Sequence, residues 1–251
     1  MEKFNLSEKG FDQNPPEIIL EEFRKVVLSR RSVRVFDDTP VPAEVVNDCI
    51  DLALLAPNSS NLQPWEFHWI RSPQKKEMIV QACFSQPAAR TAKELIAIVA
   101  RTRSWPLMTK KMLAHFERQG IKGGATFYYE KLVPHMYQQG PLGLFGFYKK
   151  CISFFRGVKK ATAREPNSES EMKIWAAKTA SLAAENMMLA FRAHGYDTCP
   201  MEGFDSARIG KILNLPPDAF VPMIVGIGKR SPKGVYGPRL RFERELFVKE
   251  V

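Results

Sequence analysis

The stretch from Glu169 to His194 constrains the fold more than any other. Met172, Trp175, Ala176, Thr179, Leu182, Ala183, Asn186, Met187, Ala190 and Phe191 recur at helical spacing and form one broad stripe. Alanines at 176, 177, 180, 183 and 184 let a neighbouring backbone approach closely, which suits a helix packed inside a large interface. Gly195 is placed to end it in a left-handed cap. The stripe offers more apolar face than one small subunit can bury, so the sequence predicts a dimer.

The remaining periodicities fill in around that helix. PEIILEEFRKVVLSR (16–30) and PAEVVNDCIDLALLA (42–56) read as helices, with Pro16 and Pro42 in first turns and Pro57 as a terminator. WEFHWIR (65–71) reads as a strand, 73–84 as a short helix, and ELIAIVAR (94–101) as a buried strand. TCPM (198–201) and VPMIVGIGK (221–229) are further strands. Between them a short helix over 205–213 is capped by Asp205 or Ser206, and the tail 234–251 is polar and extended. The order predicts an α+β chain forming a single domain over 1–251, with an insertion at about 103–168 that shows no clean period.

The charge is segregated. Between Arg101 and Glu165 lie 13 Lys or Arg against 3 Asp or Glu, which accounts for the whole net charge of +10; 24 of each remain elsewhere. A neutral scaffold with a cationic attachment is not a nucleic-acid-coating protein. The N-terminal stretch has no apolar core of a secretory signal, and no run is long enough to span a membrane. Cys49, Cys83, Cys151 and Cys199 are scattered, as expected of ordinary thiols in a reducing cytoplasm. His68, His115, His135 and His194 stand apart, and no metal site is expected.

Four segments carry candidate chemistry. SRRSVRVF (29–36) sets Arg30, Arg31 and Arg34 beside Ser32. Guanidinium forks bind phosphate bidentately, although the same residues also suit a solvated helix end. APNSSNLQPWEF (56–67) follows Pro57 with Asn58, Ser59, Ser60, Asn61 and Gln63, either ligand-facing donors and acceptors or a self-capping turn. CPMEGFD (199–205) holds Pro200, Met201, Glu202 and Gly203, the glycine permitting close approach to a flat ligand. GPRLRFE (237–243) alternates Arg239 and Arg241, so an extended chain points both one way. Gly226 and Gly228 in VGIGK lack the third glycine of a dinucleotide fingerprint.

In this order, the four segments resemble the nitroreductase family. Its pattern is R-[RH]-S-x-[RK]-x-[FY], then A-P-[SN]-x-x-N-x-Q-P-W-x-F, then P-x-E-G-F before the last strand, then a closing basic pair. The resemblance implies a mixed sheet flanked by helices, an intertwined homodimer, and FMN at the dimer interface. It assigns Arg30, Ser32, Arg239 and Arg241, with Arg31 beside them, to the FMN phosphate and ribityl chain. Arg34 would stand at the pyrimidine edge, where negative charge gathers on reduction. Pro57, Asn58, Ser59, Asn61 and Gln63 would reach the cofactor of the partner subunit. Pro200, Met201, Glu202 and Gly203 would lie along the ring, and Gln86 would face its carbonyls. Arg34 and the Glu202 backbone would assist, with no protein acid, base or nucleophile required.

The implied activity is hydride transfer from NAD(P)H through FMN to a nitroaromatic, quinone or other electron-poor small molecule. Enone reduction, dehalogenation, oxidation of a bound substrate, or flavin storage without turnover are the alternatives. The insertion stays open. In 140–160, Leu144, Phe147, Cys151, Phe154, Phe155 and Val158 fall on one helical face, flanked by Lys149, Lys150, Arg156, Lys159 and Lys160. The preferred reading is a lid whose aromatics cover the flavin pocket while its lysines face water; the other is a helix lying on an anionic membrane.

Overall fold

The computed structural model describes residues 16–251. The N-terminal stretch examined for a secretory signal lies largely in 1–15, outside the described residues. Four strands form one sheet in the order β1-β2-β4-β3: β1 is Trp65–Trp69, β2 Glu94–Arg101, β3 Asp197–Met201 and β4 Ala219–Gly228. All three pairings are antiparallel. The parallel component implied by a mixed sheet is confined to an isolated bridge between Ser32 and Thr198. The 29–36 segment touches the sheet there and turns away to a second, antiparallel bridge between Phe36 and Arg230.

Strand β2 is apolar at every interior position because both sheet faces are covered. Ile96, Ile98 and Ala100 enter one core with α2 (Ala43–Leu54) and α9 (Glu169–Ala193). Leu95, Ala97 and Val99 enter the other, with α3 (Pro73–Ala82), α4 (Pro87–Thr91) and α10 (Ser206–Ile212). Period-two alternation is therefore present but hidden, since both sets are apolar. Gly226 is required by this layering: a Cβ there would lie 2.8 Å from the Ala88 carbonyl oxygen.

The long helix α9 runs as expected, with Ser168 accepting from the Glu171 amide at its start and Gly195 at φ +79° beyond its end. Met172, Trp175, Ala176, Thr179, Ala183, Met187 and Phe191 are buried. Leu182 departs from expectation: it is half exposed, as is Ile174, because the Thr179–Ala183–Met187 row faces the sheet and α2. Helix α1 (Leu20–Ser29) starts after Ile19, so Pro16 lies in an extended lead-in and not in the first turn. Asp205 caps α10.

The insertion is helical where no period was legible. Helix α5 (Trp105–Arg118) is followed by α6 (Gly124–Phe127), a π turn over Tyr128–Leu132, α7 (Val133–Tyr137) and α8 (Leu144–Gly157). Short segments joined by glycines in left-handed conformations at 120, 123, 140 and 143 cannot sustain one hydrophobic period. Among the described residues, no helix is long and apolar enough to cross a membrane.

A buried carboxylate ties the sheet edge to the 29–36 segment. Asp197, 3% exposed, accepts from Arg192 Nη1 at 2.8 Å and from Arg230 Nε at 2.8 Å. Arg230 also donates to the Ser29 carbonyl at 3.1 Å. Burial pushes the Asp197 carboxyl up, but hydrogen bonds from Arg230 and Arg192 outweigh it and hold it below the ordinary value. A depressed carboxylate contributes stability above its unfolded-state pKa, and that contribution is lost as pH falls through the folded value. Asp197→Asn should cost about 3 kcal/mol in denaturant unfolding at neutral pH, with the deficit shrinking as acid protonates the wild-type carboxylate. An unchanged deficit down to the acid limit would show that charge pairing is not the cause.

Candidate functional site

The first and last motif segments, about two hundred residues apart in the chain, meet in one cleft. Arg30, Arg31, Ser32 and Arg34 line it on one side and Gly237, Arg239 and Arg241 on the other, around a cavity of about 410 Å³. Burial of Val33, whose amide donates to the Thr198 carbonyl at 3.0 Å, turns Ser32 and Arg34 outward together. The closing loop is held by main-chain contacts: Arg34 N donates to Gly234 O at 2.6 Å, and Arg31 Nη2 to Gly237 O at 2.6 Å. Arg239 Nη2 donates to Leu28 O at 3.1 Å and also to Arg30 O.

The cleft is strongly electropositive. Among the described residues Arg31, Arg34, Arg239 and Arg241 have no carboxylate partner, and Arg30 has only Glu185 at 3.7 Å. Desolvation, then the charges of Arg241, Arg31 and Arg30, push Arg239 below its ordinary pKa. Several cations held together without acids favour a di-anionic phosphate, which the forks can grip bidentately.

The 199–205 segment borders this cleft through β3. Cys199 is buried and desolvation raises its pKa, against an opposing pull from Arg34, so it is a core thiol. Met201 is also buried in the core, which leaves its main chain to face a ligand. A Cβ on Gly203 would meet nothing within 4 Å, so no packing within the chain demands glycine there. Gln86 does not stand free: its Nε2 donates to Gly203 O at 3.0 Å and to Cys83 O at 3.2 Å. It braces the glycine loop. An arginine-lined cleft of this kind fits a phosphate group.

The polar loop 57–63 lies elsewhere. Arg30–Arg34 sit by the Glu94 end of β2, through Thr198 and Ile227, whereas the loop feeds β1 at Trp65, opposite Ala100. Six residues of strand separate these ends, roughly 20 Å. In one chain, Asn58, Ser59, Asn61 and Gln63 do not share the arginine cleft.

That loop is strained and clamped. Ser60, Asn61 and Gln63 all have positive φ, at +57°, +47° and +44°. The Asn58 side chain accepts from the Gln63 amide at 2.8 Å. Three tyrosines of the insertion hold it: Tyr137 Oη hydrogen-bonds Ser59 Oγ at 2.9 Å and Ser60 Oγ at 3.3 Å, Tyr128 Oη hydrogen-bonds Ser60 Oγ at 2.6 Å, and Tyr129 Oη donates to Ser60 O at 2.8 Å. No sequence signal marked these tyrosines, whose roles follow from contacts between distant segments. Behind them opens a cavity of about 920 Å³ lined by Thr102, Trp105, Tyr137, Phe147, Lys150 and Met172. His68 and His194 each face one carboxylate, Glu66 at 2.8 Å and Asp48 at 2.7 Å.

Comparison with known proteins places the chain. Residues 27–229 match the Nitroreductase family, and the chain belongs to it. It is 29% identical over 206 residues to protein DrgA of Synechocystis, covering 82% of each chain. It is 27% identical over 221 residues to an NADH dehydrogenase of Thermus thermophilus, covering 88% of this chain and 93% of the relative. The fold matches the crystal structure of ydfN from Bacillus subtilis with a TM-score of 0.73 and 24% identity, covering 93% of this chain and all of the other. It also matches an Exiguobacterium sibiricum protein crystallised with FMN, at a TM-score of 0.68, 24% identity and coverage of 95% and 99%.

The clamp has a measurable consequence. Tyr137→Phe keeps the ring, 2% exposed, but leaves Ser59 without its partner. It should cost about 1 kcal/mol of stability in chemical denaturation. A stability identical to wild type would show that the hydroxyl holds nothing.

Proposed function

We propose that the chain is an NAD(P)H-dependent FMN oxidoreductase that passes a hydride from NAD(P)H through FMN to a nitroaromatic, quinone or other electron-poor small molecule. The observation that carries this is the arginine cleft: residues 30–34 and 237–241 converge on a space suited to a phosphate. FMN supplies the hydride relay when bound, so the protein needs to bind, orient and polarise. Arg30, Arg31, Ser32, Arg239 and Arg241 hold the phosphate and ribityl end. Arg34 faces the edge that gains negative charge, and the main chain of Pro200–Gly203 flanks the ring. Relatives of this chain include a 4-nitrobenzoate reductase of Pseudomonas putida and an enone reductase of Lactiplantibacillus plantarum, which keep both acceptor classes in view.

The working unit in this reading is a cytoplasmic homodimer. Helix α1 has no buried residue, with Leu20, Phe23 and Leu28 exposed, and a ten-residue helix is not stable on its own in water. Leu240, Phe242, Leu246 and Phe247 are likewise exposed on the C-terminal arm. A second copy covers both and brings its 57–63 loop to the arginine cleft, so Pro57, Asn58, Ser59, Asn61 and Gln63 complete the partner's site. The 920 Å³ cavity beside that loop is then the acceptor recess.

The purified protein should be yellow and release FMN on denaturation; a colourless chain that takes up no FMN would refute the reading. Steady-state NAD(P)H consumption separates an enzyme from a flavin store. Arg34→Ala should slow flavin reduction roughly tenfold or more while changing FMN affinity little, since the charge it meets develops during transfer. Arg241→Ala should instead weaken FMN binding by about tenfold and spare the reduction rate. Equal effects of both substitutions on both quantities, by stopped-flow and FMN titration, would break this division. Sedimentation at micromolar concentration should give a dimer, and a monomer carrying FMN would overturn the shared site.

A further inference from the structure

Helix α8 is packed with its polarity reversed. Its buried edge is Gly146, Lys149 and Ser153. Gly146 lets the helix close against the Asn167 backbone, where any Cβ would collide. Lys149, which the sequence reading sent to water, turns inward: its Nζ donates to the carbonyls of Met136 at 2.7 Å and Pro166 at 3.1 Å. Leu144, Phe147, Phe154, Phe155 and Val158 face outward, each between 63% and 75% exposed. Over its own chain this face covers no core, although Phe147 and Lys150 line the 920 Å³ cavity.

At about 100° per residue the outward residues occupy one continuous arc, with Lys150 just beyond one border, whereas Arg156 falls well past the other, next to the buried Lys149. Lys159 and Lys160 follow directly, both exposed. No acidic residue occurs between Glu130 and Glu165. An apolar face of this size in water marks a surface that meets something. A second copy docked α8 to α8 would set the two cationic borders against each other, because a two-fold contact repeats the same patch. The elements that call for a partner copy, α1 and the C-terminal arm, lie on other parts of the chain.

We propose that α8 lies in the plane of an anionic lipid bilayer. The aromatic arc enters the headgroup–acyl boundary, and Lys150, Lys159 and Lys160 engage the anionic headgroups along its border and end. Charge and apolar surface then act on the same ligand, and the net charge of the insertion is explained by the surface it meets. The proposal does not depend on the cofactor assignment.

The test is co-sedimentation of the full purified chain with vesicles of phosphatidylcholine containing phosphatidylglycerol, and with phosphatidylcholine alone, at low and high salt. Binding should appear on the anionic vesicles at low salt and fall at high salt as screening shortens the field. Phe154→Ser with Phe155→Ser should reduce partitioning at least about tenfold. Lys159→Glu with Lys160→Glu should reduce it similarly. Unchanged thermal melting checks that each variant folds; the lipid and salt dependence of the wild type decides the matter even where one does not. Absence of binding at low salt overturns the proposal. So does equal binding to neutral vesicles, or binding untouched by both folded double variants. Hydroxyl-radical footprinting of the lipid-free protein must find Phe154 and Phe155 reactive; protection would assign the face to a protein contact instead.

Discussion

Like charges held together without a counter-charge are the constraint on which the site depends. Arg30, Arg31, Arg34, Arg239 and Arg241 repel one another, and among the described residues the one carboxylate paired with them is Glu185, 3.7 Å from Arg30 and not part of the cleft lining. It answers with carbonyl dipoles: those of Gly237, Leu28 and Arg30 accept from Arg31 and Arg239 and fix where the guanidiniums can point. The full negative charge that does exist nearby, Asp197, lies behind the cleft and is consumed by Arg230 and Arg192. The brace steadies the sheet edge without neutralising the residues in front of it. A site of this kind is prepared for an anion because it is unsatisfied without one.

The insertion is joined to the 57–63 loop and is not a module hung from the scaffold. Tyr128, Tyr129 and Tyr137 reach across to Ser59 and Ser60, and the loop they grip holds three residues in the left-handed region. Such backbone costs free energy and persists only where surrounding contacts over-determine it. Anything that moves α5–α8 therefore acts on the loop, and the loop acts on whatever it contacts. A bulky acceptor entering the cavity behind Tyr137 would be felt at Ser59 through one hydrogen bond.

How much of this was legible in the sequence depended on distance along the chain. Elements set by local periodicity, such as α9, α2 and β2, were readable to within a few residues, because their patterns state which face is covered. The arginine cleft was readable only through the resemblance: spacing alone left 29–36 as an ordinary helix end and 237–243 as a surface strand. Leu182 misled because helical spacing does not say how wide the covered stripe is. The insertion defeated periodicity through its glycine breaks and π turn, which shift the helical phase within a few residues. Lys149 was misplaced for a related reason. A lysine on an amphipathic helix ordinarily faces water, and only the carbonyls of Met136 and Pro166, distant in sequence or hidden behind a turn, provide the reason to turn it in.

The route by which the cleft closes has a consequence for biosynthesis. Its walls come from Arg30–Arg34 and from Gly237–Arg241, contacts of very high sequence separation, and the second wall belongs to the final stretch of the chain. During synthesis the early arginines emerge long before anything can oppose them. Non-local contacts of this kind close late and slowly in folding. The cleft is thus absent from every state in which residues 237–241 are not yet docked, and a ligand that prefers the native state can stabilise only molecules in which they are. A ligand held between the two walls would therefore also stabilise the docking of residues 237–241 against 30–34.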